Sequence, residues 1–122
     1  QGIPKVMLIY KIFRSEEWSE FSAKGMTEGA PVDLTDGFIH FSTAEQVIET
    51  AARYFAGEAD LVLAAVDTDS LGQDLKWEPA RRGQLFPHLF RALDLAEVAW
   101  SAPLPREGLY HRFPKAIIQA IA

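Results

Sequence analysis

The sequence predicts an α+β fold, on three observations. Val6 to Phe13 and Leu61 to Val66 are apolar runs rich in β-branched and aromatic residues, the pattern of strands. Thr43 to Phe55 combines cap spacing with helical apolar periodicity. Beyond residue 60 the chain breaks into short strand-like runs with little helical period. A β-α-β-α-β start followed by a strand-rich half points to a mixed, mostly antiparallel sheet around one core.

Val6 to Phe13 reads as a central strand, interrupted only by Lys11. Ser15 opens a helix, with Glu16 and Glu17 placed well for the helix dipole. Trp18, Phe21 and Ser22 give it a thin apolar face, and Gly25 can end it. Thr27 to Asp36 is rich in turn residues and is expected to be an ordered loop over a cleft. Phe38 to Phe41 is a short strand. Thr43 and Gln46 match a capping box, and Val47, Ile48, Ala51, Ala52 and Phe55 recur at helical spacing before Gly57. Leu61 to Val66 reads as a buried strand, Asp67 to Gly72 as a turn, and Leu75 to Glu78 as a strand stopped by Pro79. Ala80 to Gln84 is a polar loop. Leu85 to Phe90 carries Pro87 and suits an edge strand or turn. Val98 to Ala102 reads as the last strand, ended by Pro103 and Pro105, and Pro114 to Ile121 as a terminal helix.

A length of 122 residues fits one domain, residues 1–122, with Gln1 to Val6 expected to be disordered or foreign to the natural chain. The absence of cysteine excludes disulfides, thiolate nucleophiles and cysteine zinc sites, and fits a reducing, cytoplasmic setting. A net charge of -5 argues against a nucleic-acid partner, since phosphate-backbone affinity needs clustered Lys and Arg. No apolar stretch approaches the ~20 residues of a membrane-spanning helix, so no membrane partner is expected. No glycine-rich phosphate fingerprint follows the first strand, which weighs against Rossmann and P-loop folds. The histidines lack short ligand spacing, so no metal is expected.

The run Asp36-Gly37-Phe38-Ile39-His40-Phe41-Ser42-Thr43 carries the densest chemistry. Strand alternation places His40 and Ser42 on one face, beside a helix N-terminus suited to a phosphate or carboxylate. His40 is either a buried imidazole bonded to backbone or a ligand contact and general acid/base. Ser42 and Thr43 either cap the helix or bind ligand. Glu78 is either a rim acid paired with Lys76 or Arg81, or a carboxylate that steadies a developing cation. Arg81 is a candidate anion clamp. His88 sits in an apolar frame and needs a specific partner. Tyr10 and Lys11 on the first strand complete the set, and His111 reads as surface.

Leu8-Ile9-Tyr10-Lys11-Ile12, Pro31-Val32-Asp33-Leu34, Asp36 to Thr43, Trp77-Glu78-Pro79 and Phe86-Pro87-His88-Leu89-Phe90 together resemble the bacterial family known as domain of unknown function 952. The resemblance spans roughly Met7 to Pro105 and implies a fold more than an activity. A more distant likeness to the ADP-ribosyltransferase-like superfamily rests on order. Tyr10 or Lys11, then His40 with Ser42 and Thr43, then Glu78 follow the sequence of groups that line a nicotinamide-dinucleotide cleft there. That likeness implies NAD as cofactor or substrate, with Glu78 and His40 as catalytic residues. Tyr10, Lys11, His40, Ser42, Thr43, Arg81 and His88 would bind the ligand.

Function is expected to centre on a polar cleft for a nucleotide-like or anionic small molecule, in an ADP-ribosyltransferase-like or degenerate enzyme. The residues leave open a non-catalytic small-ligand module. They also leave open a protein-interaction domain using Trp77, Phe86, Phe90 and Trp100 as an exposed patch. Oligomeric state is not encoded legibly.

Overall fold

A computed structural model describes residues 6–122; Gln1 to Lys5, and the expectation attached to them, lie outside the described residues. In chain order the elements are β1 (Leu8–Phe13), α1 (Ser15–Lys24), β2 (Met26–Thr27), α2 (Pro31–Asp36), β3 (Ile39–His40), α3 (Ala44–Tyr54), β4 (Leu61–Asp67), β5 (Leu75–Pro79), β6 (Leu85–Leu89), β7 (Leu93–Asp94), β8 (Val98–Leu104), β9 (Arg106–Glu107), β10 (Tyr110–His111) and α4 (Lys115–Ile121). The fold is α+β. There are two three-stranded sheets, β1-β4-β8 and β3-β6-β5, and two small pairs, β2-β7 and β9-β10. Every strand pairing among the described residues is antiparallel.

β4, not β1, is the central strand of the first sheet. Leu63, Ala64, Ala65 and Val66 are all fully buried, which explains a continuous apolar run: both faces of this strand are covered. On one face Ile9, Phe13, Ala64 and Val66 pack with Phe21 of α1 and with Leu89 and Leu93. On the other, Tyr10, Ile12, Leu61, Leu63 and Ala65 pack with Val47 and Ala51 of α3 and Ile117 of α4. The core is thus two layers divided by a sheet. Burying a side chain such as Val47 contributes about 1.5–3 kcal/mol relative to leaving it in water.

β1 is an outer strand, and its free edge is engaged at Tyr10. The Tyr10 and Ser42 backbones exchange two 2.8 Å hydrogen bonds. This bridge ties the first sheet to the segment that follows β3 of the second sheet. The two sheets diverge around it, and the cleft described below opens there.

Three expectations are corrected. The segment Thr27 to Asp36 is not a loop: Pro31 starts helix α2, and Gly37 caps it at φ +85°, a conformation glycine adopts freely. Leu85 to Leu89 is the middle strand of its sheet despite Pro87. The proline is tolerated because β3 ends there: Pro87 need only accept, taking the Phe41 N–H at 3.0 Å. The run at Val98 is not the last strand. It continues through Pro103, which an edge strand accommodates, and a β9-β10 hairpin turning at Gly108 follows. Among the described residues no helix is long and apolar enough to cross a membrane.

Candidate functional site

The site begins with a charge inside the core. Lys11 lies on β1 among apolar neighbours and is 7% exposed, while Asp33, on α2, is 1% exposed. Lys11 Nζ lies 2.8 Å from Asp33 Oδ2, the paired arrangement that a buried charge requires. The Ala30 N–H donates to the same oxygen at 2.7 Å. The other oxygen, Oδ1, accepts from the His40 N–H at 3.1 Å and from His40 Nδ1 at 2.5 Å. Burial alone would raise the Asp33 pKa. The His40 hydrogen bond, the Lys11 charge and the Ala30 amide outweigh it and hold the carboxyl at about 2. Sequence reasoning missed Asp33 as a site residue. The available signal was Lys11 itself, because an ammonium in an apolar strand demands a carboxylate from elsewhere.

His40 is bracketed by acids. Nδ1 meets Asp33, and Nε2 lies 3.0 Å from Asp36 Oδ2. Phe38 packs against both histidines, tilted against His40 at 4.6 Å between ring centroids and stacked on His88 at 4.1 Å. His40 and His88 are cross-strand partners, with ring centroids 5.4 Å apart. His88 is buried, and its Nδ1 lies 2.7 Å from Glu78 Oε1. The alternation of β5 and β6 sets this contact, since Glu78 pairs with Phe86, two residues from His88 on the same face.

The opposite wall is built on α3 and on the turn between β5 and β6. The Thr50 hydroxyl donates to the Gln46 carbonyl at 3.1 Å, so its lone pairs accept from Ser42 Oγ at 3.0 Å and Arg81 Nη2 at 3.2 Å. Ser42 is thereby held in the wall, not poised as a nucleophile. The Arg81 guanidinium lies over Phe86 and Tyr54, 4.9 and 5.7 Å from the ring centroids. Its hydrogen bonding lowers the Tyr54 pKa below the ordinary phenol value. Arg81 Nε is buried without a hydrogen-bond partner among the described residues.

These walls enclose a cleft of about 610 Å³, within the usual range for small-molecule sites. Of the residues singled out from sequence, Tyr10, Lys11, His40, Ser42, Arg81 and His88 line it, whereas Thr43 and Glu78 do not. Thr43 is occupied at the start of α3, where its N–H donates to Gln46 Oε1 at 3.0 Å. Glu78 joins the site only through His88. Tyr10 is buried, and burial followed by the nearby Glu45 charge raises its pKa. Three cationic side chains line the cleft. Lys11 is neutralised by Asp33 and Arg14 by a two-point contact with Glu58 at 2.8 and 3.0 Å. Arg81 has no carboxylate partner among the described residues.

Two further expectations are corrected. His111 is not a free surface side chain: it is half-buried, and Nε2 donates to the Glu58 carbonyl at 2.7 Å. The four aromatics do not share an exposed face, because Phe86 is buried and Trp100 packs on Tyr10 at 5.9 Å. Among the described residues no group of three or more His, Asp or Glu side chains is placed to hold a metal ion. Both His40 ring nitrogens are taken by Asp33 and Asp36, which leaves Arg81 as the cleft group with charge to offer an anion.

Residues 12–101 match the family described as "Protein of unknown function (DUF952)", and the chain belongs to that family. The crystal structure of protein CC0527 from Caulobacter crescentus is similar over 91% of this chain and 98% of that chain, with a TM-score of 0.87 and 47% identity. The solution NMR structure of the same bacterial protein is similar over 85% and 90%, with a TM-score of 0.76 and 51% identity. No curated protein matches.

Proposed function

Given a chain that belongs to the DUF952 family, we propose that its cleft binds a nucleotide-like anionic small molecule. One observation carries this reading. Arg81 is the cleft cation without an acid partner among the described residues. A ligand phosphate would meet the terminal nitrogens of this guanidinium in a charge-assisted contact that no carboxylate of the described residues supplies. Tyr54 and Phe86 beside the guanidinium offer planar apolar surface for a base or pyridine ring.

An ADP-ribosyltransferase-like activity on NAD, or its degenerate remnant, is the finer form of this proposal. The chain order of Tyr10 and Lys11, His40 and Ser42, then Glu78 supports it. Glu78 lies outside the cleft lining, so the support is stronger for binding than for a transfer step run directly on that carboxylate. Isothermal titration with NAD and with ADP-ribose tests the reading. Heat of binding that Arg81→Met reduces is expected; no heat at millimolar concentrations of either, with folded protein, refutes it.

A further inference from the structure

Resting on that ligand-binding reading, we infer that Glu78 and His88 form a carboxylate–imidazole dyad. Its open ring nitrogen takes the proton of a hydroxyl group presented by the bound ligand. His88 is then a catalytic residue and Glu78 a positioning residue that acts through it.

The chain has three histidines, and the structure separates them. His40 has both ring nitrogens committed to Asp33 and Asp36. His111 lies outside the cleft lining, and its Nε2 is committed to the Glu58 carbonyl. His88 alone lines the cleft with one nitrogen engaged and the other open. Nδ1 faces Glu78 Oε1 at 2.7 Å. An ionised carboxylate only accepts, so Nδ1 carries the hydrogen, and the neutral ring offers a lone pair at Nε2. Among the described residues Nε2 has no hydrogen-bond partner, and it is not one of the buried side-chain atoms left unpartnered, which are Arg81 Nε and His111 Nδ1, so it keeps some access to solvent.

The ring is also fixed. Phe38 stacks on one face at 4.1 Å, and His40 lies edge-on at 5.4 Å. Strands β3 and β5 flank its own strand, where Lys76 is the cross-strand partner. A buried, oriented imidazole that lines the cleft, with an anion behind one nitrogen and no partner on the other, is the arrangement of a general base. In the step, the ligand O–H bond breaks and a bond forms between that hydrogen and Nε2. The oxygen keeps the electron pair, and the Glu78 carboxylate balances the positive charge on the ring.

Two measurements on the full chain test the dyad. Long-range proton–nitrogen NMR should show His88 as the Nδ1–H tautomer, with Glu78→Gln moving it toward Nε2–H and Glu78→Asp restoring it, while backbone amide spectra stay native. Diethyl pyrocarbonate, which acylates an open imidazole nitrogen, should modify His88 at least tenfold faster than His111. Glu78→Gln should remove that advantage and Glu78→Asp should return part of it. His88 as the Nε2–H tautomer, or modified no faster than His111, overturns the proposal. Protection by ADP-ribose reports separately: rapid labelling without protection leaves the dyad standing and removes the ligand reading, whereas slow labelling beside a binding heat does the reverse.

Discussion

The Lys11 ammonium and the Asp33 carboxylate meet at 2.8 Å with both side chains buried. One comes from an outer strand, the other from a short helix more than twenty residues on. Their contact, with His40 bonded to the same carboxylate, fixes α2 against the first sheet and so sets one wall of the cleft.

Removing either partner leaves the other charge buried alone. Lys11→Met should destabilise the fold by about 3–5 kcal/mol in urea unfolding. The double variant Lys11→Met with Asp33→Leu should cost less than the two single changes added together. Strict additivity would show that the pair is not coupled.

The same carboxylate predicts an acid limb of stability. Its folded pKa of about 2 lies below the ordinary value of 3.8. The unfolded state therefore binds the proton more readily, and stability falls as pH is lowered. The contribution, about 2 kcal/mol, is fully present above roughly pH 4 and is lost as pH falls toward 2. Urea titrations between pH 5 and 2 should show this slope, and Asp33→Asn should flatten it; an unchanged slope in the variant refutes the assignment.

Arg81 should matter for ligand and little for folding. Arg81→Met is expected to weaken ADP-ribose at least tenfold by isothermal titration, the size of one lost charge-assisted contact of about 1.5–3 kcal/mol. Its melting temperature should stay near that of the parent. Equal affinity for the two proteins would count against an anion site at Arg81.

Two glycines separate backbone strain from collision. Gly29 and Gly37 both have positive φ, +106° and +85°. A Cβ at Gly37 meets open space, so Gly37→Ala should cost only the backbone strain of about 1–2 kcal/mol. A Cβ at Gly29 would strike the Asp33 carboxylate. Gly29→Ala should therefore be the more destabilising in urea unfolding. It should also change the His40 ring signals in NMR spectra, which Gly37→Ala should leave in place.

Much of the local architecture was legible in the sequence. The run at Leu61 to Val66 reads as a buried strand, and the spacing from Thr43 to Phe55 reads as a helix with one apolar stripe. Local chemistry misled where neighbours change its meaning. Pro87 reads as an edge residue until β3 is seen to end beside it. The glycines and acids of Thr27 to Asp36 read as a loop until Pro31 and Gly37 are seen to bound a helix.

For the site, the sequence determined which side chains were anomalous: Lys11 in an apolar strand, His40 before a helix, His88 in an apolar frame. Only the tertiary structure decided their partners. Strand pairing set His88 beside His40 and reached Glu78, and helix packing delivered Asp33 to Lys11 and Arg81 to Thr50. Hydrogen bonds and charge pairs act over about 3 Å, while the hydrogen-bonded Arg81 and Thr50 are 31 residues apart in sequence. Alternation and periodicity say which face a residue occupies; chain folding alone says what it meets there.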